Sequence, residues 1–213
     1  MLKVKKFTFN PFSENTFIIS NKSNKAIIID PGCYYKAEQI QLEDYISNNQ
    51  LDVQCVLHTH SHLDHMFGTS HLVEKYNVKL WIHSDDKVTY DSFQKVCELY
   101  GIPITKVPFQ DPVFFDLKNP FQIDDIILQL LFVPGHSPGH VAFYSKSDNF
   151  VINGDCLFEN SIGRTDLPGG NHNALIQSIK DKLFKLPDET VVYTGHGNET
   201  TIGREKRENP FLV

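Results

Sequence analysis

Residues His58-Thr59-His60-Ser61-His62-Leu63-Asp64-His65 place four histidines and an aspartate within eight positions, directly after the apolar run Val53-Gln54-Cys55-Val56-Leu57. Such a run predicts a strand, so these polar groups stand where a strand ends. Imidazole and carboxylate suit zinc, manganese or iron, and the spacing His60-x-His62-x-Asp64-His65 lets one short loop aim two side chains at one ion and two at a neighbour. A single histidine in a polar loop would carry no such meaning. A centre of this kind needs further ligands from distant parts of the chain, and the fold must bring them to the same place.

Strands dominate the approach to this loop. Runs at 4–9, 15–20 and 26–29, bracketed by Asn, Pro and Gly, predict a sheet built from hairpins that closes at Asp30-Pro31-Gly32. That tripeptide reads as a turn; any further role for Asp30 would be to orient the histidine loop. Leu42, Tyr45 and Ile46 predict a helix over 36–48, crossing to the strand at 53–57. Beyond the loop, helices are expected at 68–76 and 85–100 around a strand at 78–82, with His71 and His83 as structural or surface residues. Between 101 and 120, Pro103, Pro108, Pro112 and Pro120 interrupt any periodicity, which fits either a substrate wall or a packed surface connection.

The second half repeats the arrangement of polar groups behind strands. A strand at 126–133 runs into Gly135-His136-Ser137-Pro138-Gly139-His140, one at 141–145 follows, one at 150–153 runs into Gly154-Asp155, and one at 190–194 runs into Gly195-His196-Gly197. A helix is expected at 173–184, with Leu175, Ile176, Ile179 and Leu183 inward. No linker-like shift in composition or internal repeat separates these pieces, so one domain spanning 1–213 and one site are expected.

Composition narrows the partners. The 213 residues are 40% hydrophobic and carry a net charge of −6 without any block of like charge, which argues against nucleic acid or an anionic membrane as partner. Cys33, Cys55, Cys97 and Cys156 form no Cys-x-x-Cys pair or disulfide framework. The charged N-terminus leads into no apolar core of signal-peptide length, and the longest apolar run, 126–133, falls far short of the ~20 residues that span a bilayer. A cytoplasmic protein is expected.

The ordered set His60, His62, Asp64, His65, His136, Asp155 and His196 resembles that of the metallo-β-lactamase fold superfamily, and within it the short bacterial glyoxalase II-like hydrolases. Ser161-Ile162-Gly163-Arg164-Thr165-Asp166 and Gly195-His196-Gly197-Asn198-Glu199-Thr200 are similar to motifs of the same group. The resemblance implies an α/β fold, a four-layer αββα sandwich with mixed sheets inside and helices outside. It implies two divalent metal ions, zinc first, with iron or manganese as alternatives. His60, His62 and His136 would hold one ion, Asp64, His65 and His196 the other, and Asp155 would bridge them. The implied reaction is attack of a metal-bridging hydroxide on a small-molecule thioester such as S-lactoylglutathione, with Asp64 and Asp155 as the catalytic carboxylates.

Arg164 matches a basic residue that contacts the glutathione carboxylate in this group; its competing role is a pairing with Asp166 inside the loop. Two departures concern the thiol carrier. Only 17 residues follow His196, which leaves no room for a C-terminal helical glutathione-binding domain, and Asp166 stands where a tyrosine is expected. Two other readings are a mononuclear iron persulfide dioxygenase using His60, His136 and Asp155, and a non-enzymatic metal-binding module. His58 is expected to point away from the metals, and His140 falls outside the ligand pattern, with a place flanking the pocket as its alternative role. Cys156 is expected on the opposite side of its strand from Asp155, as a buried thiol.

Overall fold

The computed structural model describes residues 1–104 and 111–213. β1 (Lys3–Phe9), β2 (Glu14–Ser20) and β3 (Lys25–Ile29) form an antiparallel meander. From β3, α1 (Lys36–Asn48) crosses to β4 (Asp52–Leu57), and α2 (Thr69–Tyr76) crosses to β5 (Lys79–Ile82), each strand parallel to its predecessor. α3 (Lys87–Asp91) and α4 (Phe93–Leu99) precede β6 (Val113–Phe114), which pairs with β5.

The second sheet begins with β7 (Phe121–Ile123), β8 (Ile126–Phe132), β9 (Val141–Ser145) and β10 (Phe150–Gly154). A small hairpin, β11 (Leu157–Phe158) and β12 (Ser161–Ile162), stands apart from it. After α5 (His172–Asp181) come β13 (Val191–Thr194), β14 (Thr200–Thr201) and α6 (Ile202–Glu208). The sheets run β1-β2-β3-β4-β5-β6 and β14-β13-β10-β9-β8-β7, so each mixes parallel and antiparallel pairs.

Strand alternation sorts the apolar residues into layers. In β2 and β3, Phe17, Ile19, Ile27 and Ile29 meet Ile126, Leu128, Val141, Phe143, Phe150 and Ile152 of the other sheet. Their neighbours Ile18, Ala26 and Ile28 turn the opposite way, onto Leu42 and Ile46 of α1 and Leu72 and Val73 of α2. On the far side, Ala142, Tyr144, Val151 and Val192 pack on Leu175 and Ile179 of α5 and Ile202 of α6. This is the expected αββα order. Both sheets are covered on both faces, which is why their central strands read as continuous apolar runs rather than alternating ones.

Three local expectations change. The helix expected over 85–100 is two short helices, because Ser92 turns its hydroxyl back onto the Thr89 carbonyl at 2.7 Å and competes with the helical ladder. Within 101–120, β6 and the buried Phe115 belong to the sheet and to the core between the sheets, while the substrate-wall expectation for 105–110 lies outside the described residues. β14 and α6 follow His196 where no element was expected, α6 being capped by the Thr201 hydroxyl, which accepts from Arg204 N–H at 3.3 Å. Among the described residues no helix is long and apolar enough to cross a membrane.

Candidate metal centre

The loops after β4, β8, β10 and β13 meet at one end of the sandwich. Contacts between the sheets fix them there: Thr59 O accepts Val141 N–H at 2.8 Å, and Gly195 O accepts Asn15 N–H at 2.7 Å. The Asn15 amide also donates to the carbonyls of Thr194 and Gly197, each at 3.0 Å, so β2 of the first sheet braces the His196 loop of the second.

Seven side chains converge in this space. One group is His60, His62 and His136, another Asp64, His65 and His196; within each, the prospective ligand atoms lie within 4.8 Å of one another. Asp155 stands between them. Its Oδ2 is 3.5 Å from His136 Nε2 and 3.4 Å from His196 Nε2, and its Oδ1 is 3.5 Å from His65 Nε2. Asp64 Oδ2 reaches His196 Nε2 at 3.2 Å.

Hydrogen bonds on the far sides of the rings assign their tautomers. His136 Nδ1 donates to the Arg164 carbonyl at 2.7 Å, and His196 Nδ1 to the Phe12 carbonyl at 3.0 Å. The Thr59 hydroxyl, committed as donor to Asp30 Oδ2, accepts from His60 Nδ1 at 3.1 Å, and His65 Nδ1 donates to the same Asp30 oxygen at 3.1 Å. In the neutral rings of His60 and His136 each Nε2 therefore turns a lone pair inward. His62 Nδ1 is 2.8 Å from His136 Nε2, a hydrogen bond when His62 carries its proton there, whereas His136 Nε2 and His60 Nε2 lie 3.2 Å apart with both rings protonated on the far side. Lone pairs so close repel unless a cation lies among them. Buried His65 Nε2 and Asp155 Oδ1 also have no hydrogen-bond partner. Donor set, tautomers and orphaned atoms together fit a pair of divalent ions.

The electrostatics differ between the halves. Burial, then neighbouring imidazoles, pushes His62 down to about 3 and His60 well below its ordinary value, so the three-histidine half is neutral. In the other half burial works in the same direction, but Asp64 and Asp155 outweigh it and raise His65; hydrogen bonds to Asp155 and Asp64 raise His196 to about 10. Burial disfavours the Asp155 carboxylate, yet His65 and His196 hold it well below the carboxylate range.

Several residues around the centre have roles that spacing did not reveal. Asp30 does more than make a turn: it accepts Thr59 N–H at 2.7 Å and the Thr59 hydroxyl at 2.5 Å, and so orients the histidine loop. Buried Asp86 accepts from Ser61 N–H at 2.5 Å, from Gly139 N–H at 3.2 Å and from the Ser137 hydroxyl. Its one sequence signal was an acidic pair just past a predicted strand. His140 lies beside the site in its wall, its ring stacked on His60 with centroids 4.8 Å apart and its Nε2 accepting Asp155 N–H at 3.2 Å.

The remaining expected residues separate from the centre. His58 points away, its Nε2 sharing a hydrogen with the Thr69 hydroxyl at 2.8 Å. His71 pairs with Glu43, and His83 stacks on Phe132 with centroids 4.5 Å apart. Arg164 binds Asp166 through two parallel hydrogen bonds of 2.7 Å, with side chains 59% and 68% exposed, so the pairing within the loop is present. Cys156 is buried in the core beside α5.

The comparisons agree with this geometry. The family model described as the metallo-beta-lactamase superfamily matches residues 9–196. A Haemophilus influenzae protein named hydroxyacylglutathione hydrolase GloC is 36% identical over 94% of this chain and 93% of its own length. The probable metallo-hydrolase YqgX of Bacillus subtilis is 36% identical over 99% and 98%. Among solved structures, the BLEG-1 B3 metallo-beta-lactamase superposes with a TM-score of 0.89 at 33% identity, covering 99% of this chain and 100% of its own. TTHA1623, crystallised in a di-iron-bound form, superposes with a TM-score of 0.86 at 35% identity, covering 98% and 100%. Ligand geometry, sheet order and near full-length similarity lead to one conclusion: the chain belongs to the metallo-β-lactamase superfamily.

Proposed function

We propose that the protein is a dinuclear metallohydrolase that cleaves a thioester, with S-lactoylglutathione or a related 2-hydroxyacyl-glutathione as substrate. The observation that carries this reading is the position of Asp155, 3.5 Å from an imidazole nitrogen in each half of the centre. His60, His62 and His136 would hold one ion, Asp64, His65 and His196 the other, and Asp155 would serve both. When bound, two such ions acidify a water and polarise the carbonyl under attack. Zinc is the first candidate, and the di-iron form of TTHA1623 supports testing iron beside it.

The chain's own groups prepare the site. Asp64 and Asp155 would offset the charge of the ions, while Asp30, Thr59 and the carbonyls of Phe12 and Arg164 hold the imidazole tautomers. No protein nucleophile is needed: Cys156 is buried, and burial with Asp155 beside it raises its thiol far above the ordinary value. A thiolate leaves without strong acid assistance, which favours a thioester over a less activated acyl group. The similarity to GloC supports a glutathione carrier. Arg164 would meet the substrate carboxylate by exchanging Asp166 for it. A single iron on His60, His136 and Asp155 would leave Asp64, His65 and His196 clustered with no ion to hold. Four free, buried cysteines support a reducing, cytoplasmic setting.

The test is steady-state hydrolysis of S-lactoylglutathione by protein loaded with zinc or iron, beside Asp64→Ala and Asp155→Ala and with a chromogenic β-lactam as competing substrate class. Thioester turnover lost in both variants supports the reading. Background turnover of the thioester by loaded wild-type protein sinks it, and turnover of the β-lactam alone assigns the site to amide hydrolysis.

A further inference from the structure

Asp86 touches neither half of the centre directly, yet three of its contacts lie on the two loops that carry the neutral half, at positions beside His60, His62 and His136 rather than at the Asp64-His65 end of the first loop. Its Oδ2 accepts the N–H of Ser61, the residue between His60 and His62, at 2.5 Å. Its Oδ1 accepts the hydroxyl of Ser137, the residue after His136, and the N–H of Gly139 at 3.2 Å. The two loops are 75 residues apart in sequence at His136 and Ser61, and Asp86 comes from a third element, the turn Ser84–Asp86 after β5. The fit is close, since a Cβ on Gly139 would fall 2.5 Å from the Asp86 Cβ and 2.3 Å from its backbone nitrogen. Asp86 is fully buried, so neither solvent nor a mobile side chain replaces these bonds.

The other half has supports of its own, one of which, Asp30, also reaches His60 through Thr59. His65 leans on Asp30, His196 on the Phe12 carbonyl, and the Asp64 backbone carbonyl on the Asn10 amide at 2.9 Å. None of these contacts passes through Asp86.

We infer that Asp86 is a positioning residue for one metal subsite alone: it sets the separation of the His60/His62 loop from the His136 loop, and so the affinity of the three-histidine subsite. This rests on the two-metal part of the proposed function, not on its thioester chemistry. An asparagine would offer an N–H₂ group where a carboxylate oxygen now accepts, turning one N–H or O–H donor onto another.

The experiment is cobalt(II) titration of metal-free protein, followed by visible d–d absorption and by metal content after dialysis, for wild type, Asp86→Asn and Ser137→Ala. His62→Ala and His196→Ala mark the spectrum of a centre with one half disabled. Expected in Asp86→Asn is a ~10–100-fold weaker affinity for one equivalent, as for other residues that support ligands, with the second within threefold of wild type and a residual spectrum matching His62→Ala. Ser137→Ala, which loses one bond and keeps the carboxylate, should weaken the same equivalent less. Parallel weakening of both equivalents, a residual spectrum matching His196→Ala, unchanged binding, or a wild type that takes one equivalent overturns the inference. Should Asp86→Asn fail to fold, Ser137→Ala decides it. Two tight equivalents without thioester turnover would refute the proposed substrate and leave this inference intact.

Discussion

Asp30 holds Thr59 at two points, accepting its backbone N–H at 2.7 Å on Oδ1 and its hydroxyl at 2.5 Å on Oδ2. Through that grip one carboxylate fixes two of the proposed ligands: His60 donates to the same hydroxyl, and His65 donates to Asp30 Oδ2. The residue is placed by a left-handed backbone at φ 48°, directly after β3. Asp30→Asn keeps the size and loses one acceptor, so metal affinity should fall by ~10–100-fold, as for other residues that orient ligands. Chelator competition measures it, with circular dichroism to verify the fold. An affinity within twofold of wild type would show that the tautomers are held some other way.

Metal should also act on stability. Inward lone pairs on His60 and His136 and the unpartnered His65 Nε2 and Asp155 Oδ1 would be relieved by an ion in the folded protein. Free zinc at a hundred times its dissociation constant contributes about 2.7 kcal/mol, equivalent to ~5–10 °C in melting temperature for a chain of this size. Thermal melts with zinc and with chelator read the difference. Identical melting temperatures would speak against tight binding.

Gly195 is predicted to tolerate no side chain. An added Cβ would lie 2.0 Å from Asp155 Oδ1 and 2.9 Å from His65 Cε1, so Gly195→Ala must push the Asp155 carboxylate aside. A displacement near 1 Å costs ~100-fold in turnover, and metal retention should drop with it. Gly197→Ala is the comparison. Its Cβ meets open space, and the penalty is the left-handed backbone at φ 73°, about 1–2 kcal/mol. Equal losses in both variants would contradict the steric argument.

The Glu43 carboxylate accepts from His71 at 2.5 Å and from Lys75 at 2.9 Å. Burial alone would raise its pKa, but those two partners outweigh burial and hold it below the ordinary value. The unfolded chain therefore binds the proton more readily. This group's stabilisation is complete above the unfolded glutamate pKa of about 4.3 and is lost as pH falls through the lower folded value. Melts of wild type and Glu43→Gln should differ at pH 7 and converge below about pH 4. A gap that widens on acidification would reverse the assignment.

What the sequence by itself determined was local. Apolar runs announced the strands, three-to-four spacing announced α1 and α5, and ligand-type residues stood behind four strands, because each signal is written within a few neighbouring positions. Resemblance to a family then ordered the layers before any contact was known. The tertiary structure alone decided which groups support the centre. Asp86 joins Ser61 to Ser137, Asp30 reaches Thr59 and His65, and His140 slides under His60. Arg164 faces Asp166 at the surface while its carbonyl holds His136. These are hydrogen bonds and stacking contacts between segments mostly far apart in the chain. No spacing records them, since which buried donor meets which acceptor is settled only when the two sheets close on one another.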